Sequence, residues 1–191
     1  KGTFLLELIG ALVMMPTFIH DFGAKGIWMA FFHSISAFCN AGFDIMGTEG
    51  AKFASITSYL GNSVINVTIM LLIVIGGIGF LTWEDVCTNK LHFKRYRMQS
   101  KVILVTSALL ILLPAVFFFF VDFADMPMKE RVLGSLFQAV TPRTAGFNTA
   151  NLTVMTGAGQ AIIIVLMLIG GSPGSTAGGM KTTTFAVLLA T

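Results

Sequence analysis

Long apolar runs alternate along the chain with short mixed stretches. Phe4 to Ile19 is apolar except for Glu7 and carries Pro16 near its end, so it reads as a short or tilted membrane helix. Trp28 to Cys39 is mixed and too short to span. Tyr59 to Leu81 reads as a full span, with small and polar residues on its early turns (Gly61, Asn62, Ser63, Asn66). Lys90 to Lys101 is the most basic stretch. Val102 to Val121 is another span, with Pro114 inside it, and Arg131 to Thr141 is again short. Gln160 to Ala190 is the final apolar run. A hydrocarbon core of about 30 Å takes roughly 20 apolar residues to cross, and several of these runs reach that length.

The pattern repeats. Met14-Met15-Pro16 aligns with Leu112-Leu113-Pro114. Asn40-Ala41-Gly42-Phe43-Asp44 aligns, 104 positions on, with Thr144-Ala145-Gly146-Phe147-Asn148. Ile75-Gly76-Gly77 aligns, 94 positions on, with Ile169-Gly170-Gly171. Three matches in the same order describe one unit used twice: span, half-length segment, Ala-Gly-Phe, span. The units are residues 1–89 and 102–191, with a basic link at 90–101. The fold class expected is an all-α membrane protein.

Composition agrees. Apolar residues make up 55% of the chain and charged residues 11%, where a soluble domain carries about a quarter charged. The net charge of +3 is small and gives no reason to expect nucleic acid. Cys39 and Cys87 show neither a disulfide framework nor a zinc spacing. Lys1 is not a start methionine and Thr191 ends the chain in an apolar run, so the chain reads as an internal segment of a longer protein.

Basic residues set orientation. Lys90, Lys94, Arg95, Arg97 and Lys101 outweigh Glu84 and Asp85 in the connection from Thr82 to Lys101, which the positive-inside rule puts in the cytoplasm. The segments Asp44 to Lys52 and Asn148 to Thr156 then face outside.

Irregular backbone at membrane depth survives only where protein buries it or water reaches it. A half-length helix followed by Ala-Gly-Phe between two spans therefore suggests a pore lining. Cation filters replace an ion's water shell with backbone carbonyls, and glycine reaches backbone conformations closed to other residues. Asn40, Ala41, Gly42 and Phe43 form one candidate filter loop, and Thr144, Ala145, Gly146 and Phe147 the other. Asp44 would draw cations to the outer mouth. The ordinary alternative is that Gly42 and Gly146 close short helices as C-caps. Arg143, awkward beside a cation pore, is expected to cap its own pore helix and point away from the axis.

Ser34 to Asp44, Thr141 to Asn148 and Gly170 to Thr182 resemble the Trk/Ktr/HKT potassium-uptake superfamily, most closely the bacterial Ktr-type membrane subunit. The resemblance covers essentially the whole chain. It implies two helix–re-entrant pore loop–helix repeats, the second and third of a four-repeat potassium-channel-like pore. K⁺ would be held at the backbone of Gly42 and Gly146. It also implies multi-pass insertion in the cell membrane, a homodimer and a cytoplasmic nucleotide-binding regulatory subunit.

As one helix, Gln160 to Ala190 would run about 46 Å, longer than the hydrocarbon core. Five glycines and Pro173 lie between Gly170 and Gly179, which makes a continuous helix costly. The span is expected to break into halves around a loop of Gly170, Gly171, Ser172, Pro173, Gly174, Ser175, Thr176, Ala177, Gly178 and Gly179. In the resembling family this loop is the intramembrane gate. A remote alternative treats Ile162 to Ile169 as a strand entering a phosphate-binding loop at Gly174 to Thr182. That motif needs lysine directly after its last glycine, and Met180 intervenes.

His20, His33 and His92 are too scattered for a metal site, and Trp83 fits an interfacial anchor. Nothing resembles a nucleophile–base pair. The expected function is potassium uptake, with sodium as a further ion, rather than catalysis. The alternative is an ion-coupled secondary transporter, since broken helices with glycine loops occur there too.

Overall fold

Glycine, proline and asparagine decide where the apolar runs stop being helical. The computed structural model describes residues 2–47, 54–90 and 92–191. Among these are α1 (Gly2–Phe22), α2 (Lys25–Phe38), α3 (Ser63–Gly77), α4 (Phe80–Asn89), α5 (Met98–Phe120), α6 (Met128–Val140), α7 (Gly157–Leu168) and α8 (Thr182–Ala190). The all-helical expectation holds. The outer segment expected from Asp44 to Lys52 lies partly outside the described residues, as does Leu91 of the basic link.

Side chains start several helices. Asn62 accepts from the amides of Val64 (3.0 Å) and Ile65 (3.2 Å) to begin α3. The Thr156 hydroxyl accepts from the Gly159 amide at 3.1 Å to begin α7. Each cap satisfies amides that have no partner inside the helix. Asn66, buried in α3, donates to the carbonyls of Tyr59 and Asn62 and so fastens the turn before the helix.

Two clusters of buried side chains follow the two sequence units. Met14, Phe18, Phe38, Ile65, Ile69 and Leu72 join α1, α2 and α3. Ala115, Phe118, Phe123, Ala139 and Ile163 join α5, α6 and α7. Phe137, Val140, Ala145 and Phe147 of the second unit belong to the first cluster and tie the units together. In lipid, apolar area alone does not drive helices together, so close fit at small residues matters more. A Cβ on Gly26 would lie 2.2 Å from the Phe18 carbonyl oxygen, and one on Gly76 would lie 2.0 Å from that of Phe38. Leu109, Leu112, Leu113, Val116 and Phe120 of α5 remain exposed in this chain.

α1 and α5 are long and apolar enough to cross a membrane, and α3 with α4 makes a third span only if counted as one bent element. Here the structure corrects the sequence reading. The full span expected from Tyr59 to Leu81 stops at Gly77, and α4 leaves at 101°. Gly79 forms the corner with φ +86°, a backbone region open chiefly to glycine. The last residues of the basic link are already helical, since α5 begins at Met98. The final apolar run breaks where the glycines cluster, between Leu168 and Thr182.

Candidate functional site

Each half-length helix ends in a loop with the same unusual backbone. Asn40 and Gly42 have φ of +52° and +68°, and Thr144 and Gly146 have +71° and +87°. Left-handed residues thus recur at two-residue spacing in both loops. Asparagine tolerates this region, whereas a β-branched threonine there is an outlier that its surroundings must enforce. In the first loop the helix is closed by Asn40. Its amide donates to the Ala37 carbonyl at 3.1 Å, and the Ala41 amide to that of Ser36 at 2.9 Å. Those two bonds are the left-handed cap of a helix end. Gly42 lies beyond the cap, so capping does not account for its conformation.

The two loops meet. A Cβ on Gly42 would fall 1.8 Å from the Ala145 carbonyl oxygen, and one on Gly146 would fall 3.7 Å from the Gly42 Cα. Each loop is pulled back onto its helix by a hydroxyl: Ser36 donates to the Phe43 carbonyl at 2.8 Å, and Thr141 to that of Phe147. Asn40, Ala145 and Phe147 are buried, while Ala41, Phe43 and Gly146 are exposed. Phe147 packs against the buried ring of His33 on α2, centroids 6.1 Å apart. Its counterpart Phe43 is 71% exposed. Outside the loops, Gly42, Phe43, Asp44, Gly47, Ser55 and Gly146 line an open recess of about 590 Å³.

The glycine-rich loop sits on the opposite side of these loops. Its ends are bridged: the Gly170 amide donates to the Met180 carbonyl at 2.9 Å, and the Thr182 amide to that of Gly171 at 3.1 Å. Its tip docks on the open end of α3. The Ser172 amide donates to the Gly77 carbonyl (2.9 Å), the Thr176 amide to that of Gly76 (3.3 Å), and the Phe80 amide to that of Gly174 (3.1 Å). The carbonyls that α3 leaves unpaired where it breaks are therefore capped by a segment some hundred residues away in sequence. Trp83, expected as an interfacial anchor, completes the set by donating its indole N–H to the Ile75 carbonyl at 2.8 Å. Lys181 holds the loop from its other end, its ammonium donating to the Ala177 carbonyl at 2.8 Å.

Arg143 does not cap its own helix. Its Nη2 donates to the Gly170 carbonyl at 3.3 Å and the Ser107 hydroxyl at 3.4 Å. With Asn40, Gly77, Val140 and Gly171 it lines a cavity of about 20 Å³, room for one water. The long side chain reaches a neighbouring element that spacing along the sequence does not reveal. The strand needed for a phosphate-binding loop is absent, because Ile162 to Leu168 is helical. Among the described residues no group of three His, Cys, Asp or Glu could hold a metal ion.

A family described as cation transport protein, TrkH, matches residues 3–191. The potassium/sodium uptake protein NtpJ of Enterococcus hirae is 37% identical over 99% of this chain and 42% of its own length. The Ktr system potassium uptake protein B of Bacillus subtilis is 34% identical over 96% of this chain and 41% of its length. A crystal structure of the potassium transporter TrkH from Vibrio parahaemolyticus superposes with a TM-score of 0.73 at 22% identity, covering 96% of this chain and 37% of that one. This chain thus spans about two fifths of the length of these relatives. It belongs to the TrkH family of cation transport proteins.

Proposed function

We propose that the chain supplies two of four pore repeats in a potassium uptake protein of the cell membrane, with sodium as a further transported ion. The observation that carries this is the matched, left-handed backbone of Asn40–Gly42 and Thr144–Gly146, brought face to face. Left-handed residues at alternate positions turn successive carbonyls toward one side, the arrangement that replaces a cation's water shell. In this reading Asn40 to Phe43 and Thr144 to Phe147 line the filter, K⁺ contacts the backbone of Gly42 and Gly146, and Asp44 stands at the outer mouth. Exposed Phe43 finds its seat on a further repeat, as Phe147 does on His33.

The loop from Gly170 to Gly179 acts as the gate on the cytoplasmic side, and the basic link at 90–101 lies in the cytoplasm. Relatives named as potassium or potassium/sodium uptake proteins support the choice of ion. A homodimer working with a cytoplasmic nucleotide-binding regulatory subunit completes the reading, with lipid as the surrounding solvent and no nucleic acid partner.

The test is Gly146→Ser in the full-length protein reconstituted into liposomes. A side chain at φ +87° is strained and projects toward Gly42. K⁺ affinity is expected to fall, or K⁺/Na⁺ discrimination to change, at normal expression. Unchanged affinity and ion preference in a folded variant refute the filter.

A further inference from the structure

Filter loop and gating loop share one polar junction. The Asn40 amide, buried, donates from Nδ2 to the Thr176 hydroxyl at 3.1 Å, and approaches the carbonyls of Phe38 and Ile73 at 3.4 Å each. The Thr176 hydroxyl in turn donates to the Phe38 carbonyl at 2.9 Å and lies 3.2 Å from that of Gly76. Phe38 is the last residue of α2, and Asn40 opens the left-handed run to Gly42. Of the three groups that hold the Asn40 amide, Phe38 and Ile73 sit on helices. Thr176 alone sits on a segment that moves if the loop is a gate.

We infer that Thr176 is a positioning residue for ion discrimination, fixing the Asn40 side chain and through it the backbone at Gly42. The inference rests on the filter and gate reading above. With the loop docked, Asn40 has its shortest bond and the Phe38 carbonyl is occupied. With the loop withdrawn, Asn40 keeps only its two longer bonds, and the Phe38 carbonyl, at the negative end of α2, loses its shorter partner and keeps only the Asn40 amide at 3.4 Å. Filter and gate are therefore coupled, and by linkage an ion that steadies the filter also biases the loop. The second repeat lacks this hold: the Thr144 hydroxyl is buried without a partner, and Arg143 reaches the loop's main chain instead. The coupling is thus carried by one repeat's side chain, not by the repeat pattern.

The experiment compares Thr176→Val, which keeps the shape and removes the hydroxyl, with Thr176→Ser, which keeps the hydroxyl, in the full-length protein in liposomes. Thr176→Ala stands in if the valine variant fails to fold, and Gly42→Ala is the filter control. The readout is the K⁺/Na⁺ uptake ratio under competing gradients, not total flux. Loss of one hydrogen bond predicts a change of about threefold or more in that ratio for Val, with Ser restoring the parent value. Asn40→Ala combined with Thr176→Val is expected to change the ratio by less than the sum of the two single effects, because both remove the Asn40–Thr176 bond. A valine or alanine variant that alters total flux at the parent ratio overturns the coupling, and so does a serine variant that fails to restore it. If Gly42→Ala also leaves the ratio unchanged, the filter reading falls first.

Discussion

Gly79 offers the sharpest test of whether the glycine-rich loop is a docked gate. In Gly79→Ala the new Cβ lies 2.4 Å from the Pro173 carbonyl oxygen, so the loop must withdraw. Two separate costs arise. The backbone at φ +86° and ψ 149° lies in a region essentially confined to glycine and costs an alanine roughly 1–3 kcal/mol, a cost separate from the clash. The clash exists only when the loop is docked. Relieving it weakens the bonds from the Phe80 amide to Gly174 and from the Ser172 amide to Gly77, each with a net value of about 0.5–1.5 kcal/mol. The docked state therefore loses about 1–3 kcal/mol relative to the undocked one, which moves their ratio roughly 5–150-fold.

Gly174→Ala separates the two costs. Gly174 has φ +70°, yet its added Cβ meets nothing within 4 Å. It carries a positive-φ strain of its own without the clash. K⁺ flux into liposomes, at matched protein content and with folding checked by size-exclusion chromatography, is expected to rise in Gly79→Ala and stay near the parent in Gly174→Ala. Equal behaviour of the two variants, or a folded Gly79→Ala with parental flux, refutes the docking argument.

Two further predictions concern the loop tip and the α4–α5 corner. Deleting residues 172–177 removes every loop partner of α3 and Asn40, while the Gly171 amide and Gly178 carbonyl, 3.2 Å apart, lie close enough for the shortened loop to close; flux is expected to rise and depend less on any regulatory subunit, and a folded deletion conducting no faster than its parent contradicts the gate. Asp85 on α4 accepts from the Ser100 hydroxyl and the Arg97 amide and pairs with the Arg97 guanidinium, so its carboxyl is held below the usual range, chiefly by Ser100. A depressed folded-state pKa gives stability that is complete above about pH 4 and is lost as pH falls through the lower, folded value. Melting curves of Asp85→Asn and parent should therefore differ at neutral pH and converge in acid, and a gap constant from pH 7 to 2 would refute the assignment.

Much of this architecture was legible because the relevant signals are local. Five glycines and Pro173 between Gly170 and Gly179 forbid a helix by backbone terms alone, and the break lies there. The two Ala-Gly-Phe triplets were visible as a repeat because each unit needs the same backbone. What the sequence hid depends on distant partners. Tyr59 to Leu81 reads as one span because its apolar content never falters, and Gly76, Gly77 and Gly79 alone do not outweigh it. The helix stops there because Ser172, Thr176 and Trp83 cap its last carbonyls. Arg143 misled for a related reason. Cations suit a helix's carbonyl end, but the side chain is long enough to serve the Gly170 carbonyl of another element.

The internal repeat also accounts for where the glycine-rich loop, the gate of the proposed function, is docked. Gly76-Gly77 and Gly170-Gly171 are equivalent, so both second spans fail at the same level, and each failure leaves carbonyls in want of donors. In the first unit the chain turns by 101° and exposes the end of α3. In the second it makes a loop whose amides are free to supply what α3 lacks. The loop's docking is thus stabilised by a defect in the other repeat. Its withdrawal requires those carbonyls to find water or an ion instead, because a buried carbonyl without a partner costs about 1–3 kcal/mol. In the proposed pore, a single displacement would clear the path beneath the proposed filter and turn the carbonyl end of α3, the negative end of a helix, toward an entering cation. At the proposed gate, the same contacts that keep the loop docked would become, once broken, groups that favour a cation in its place.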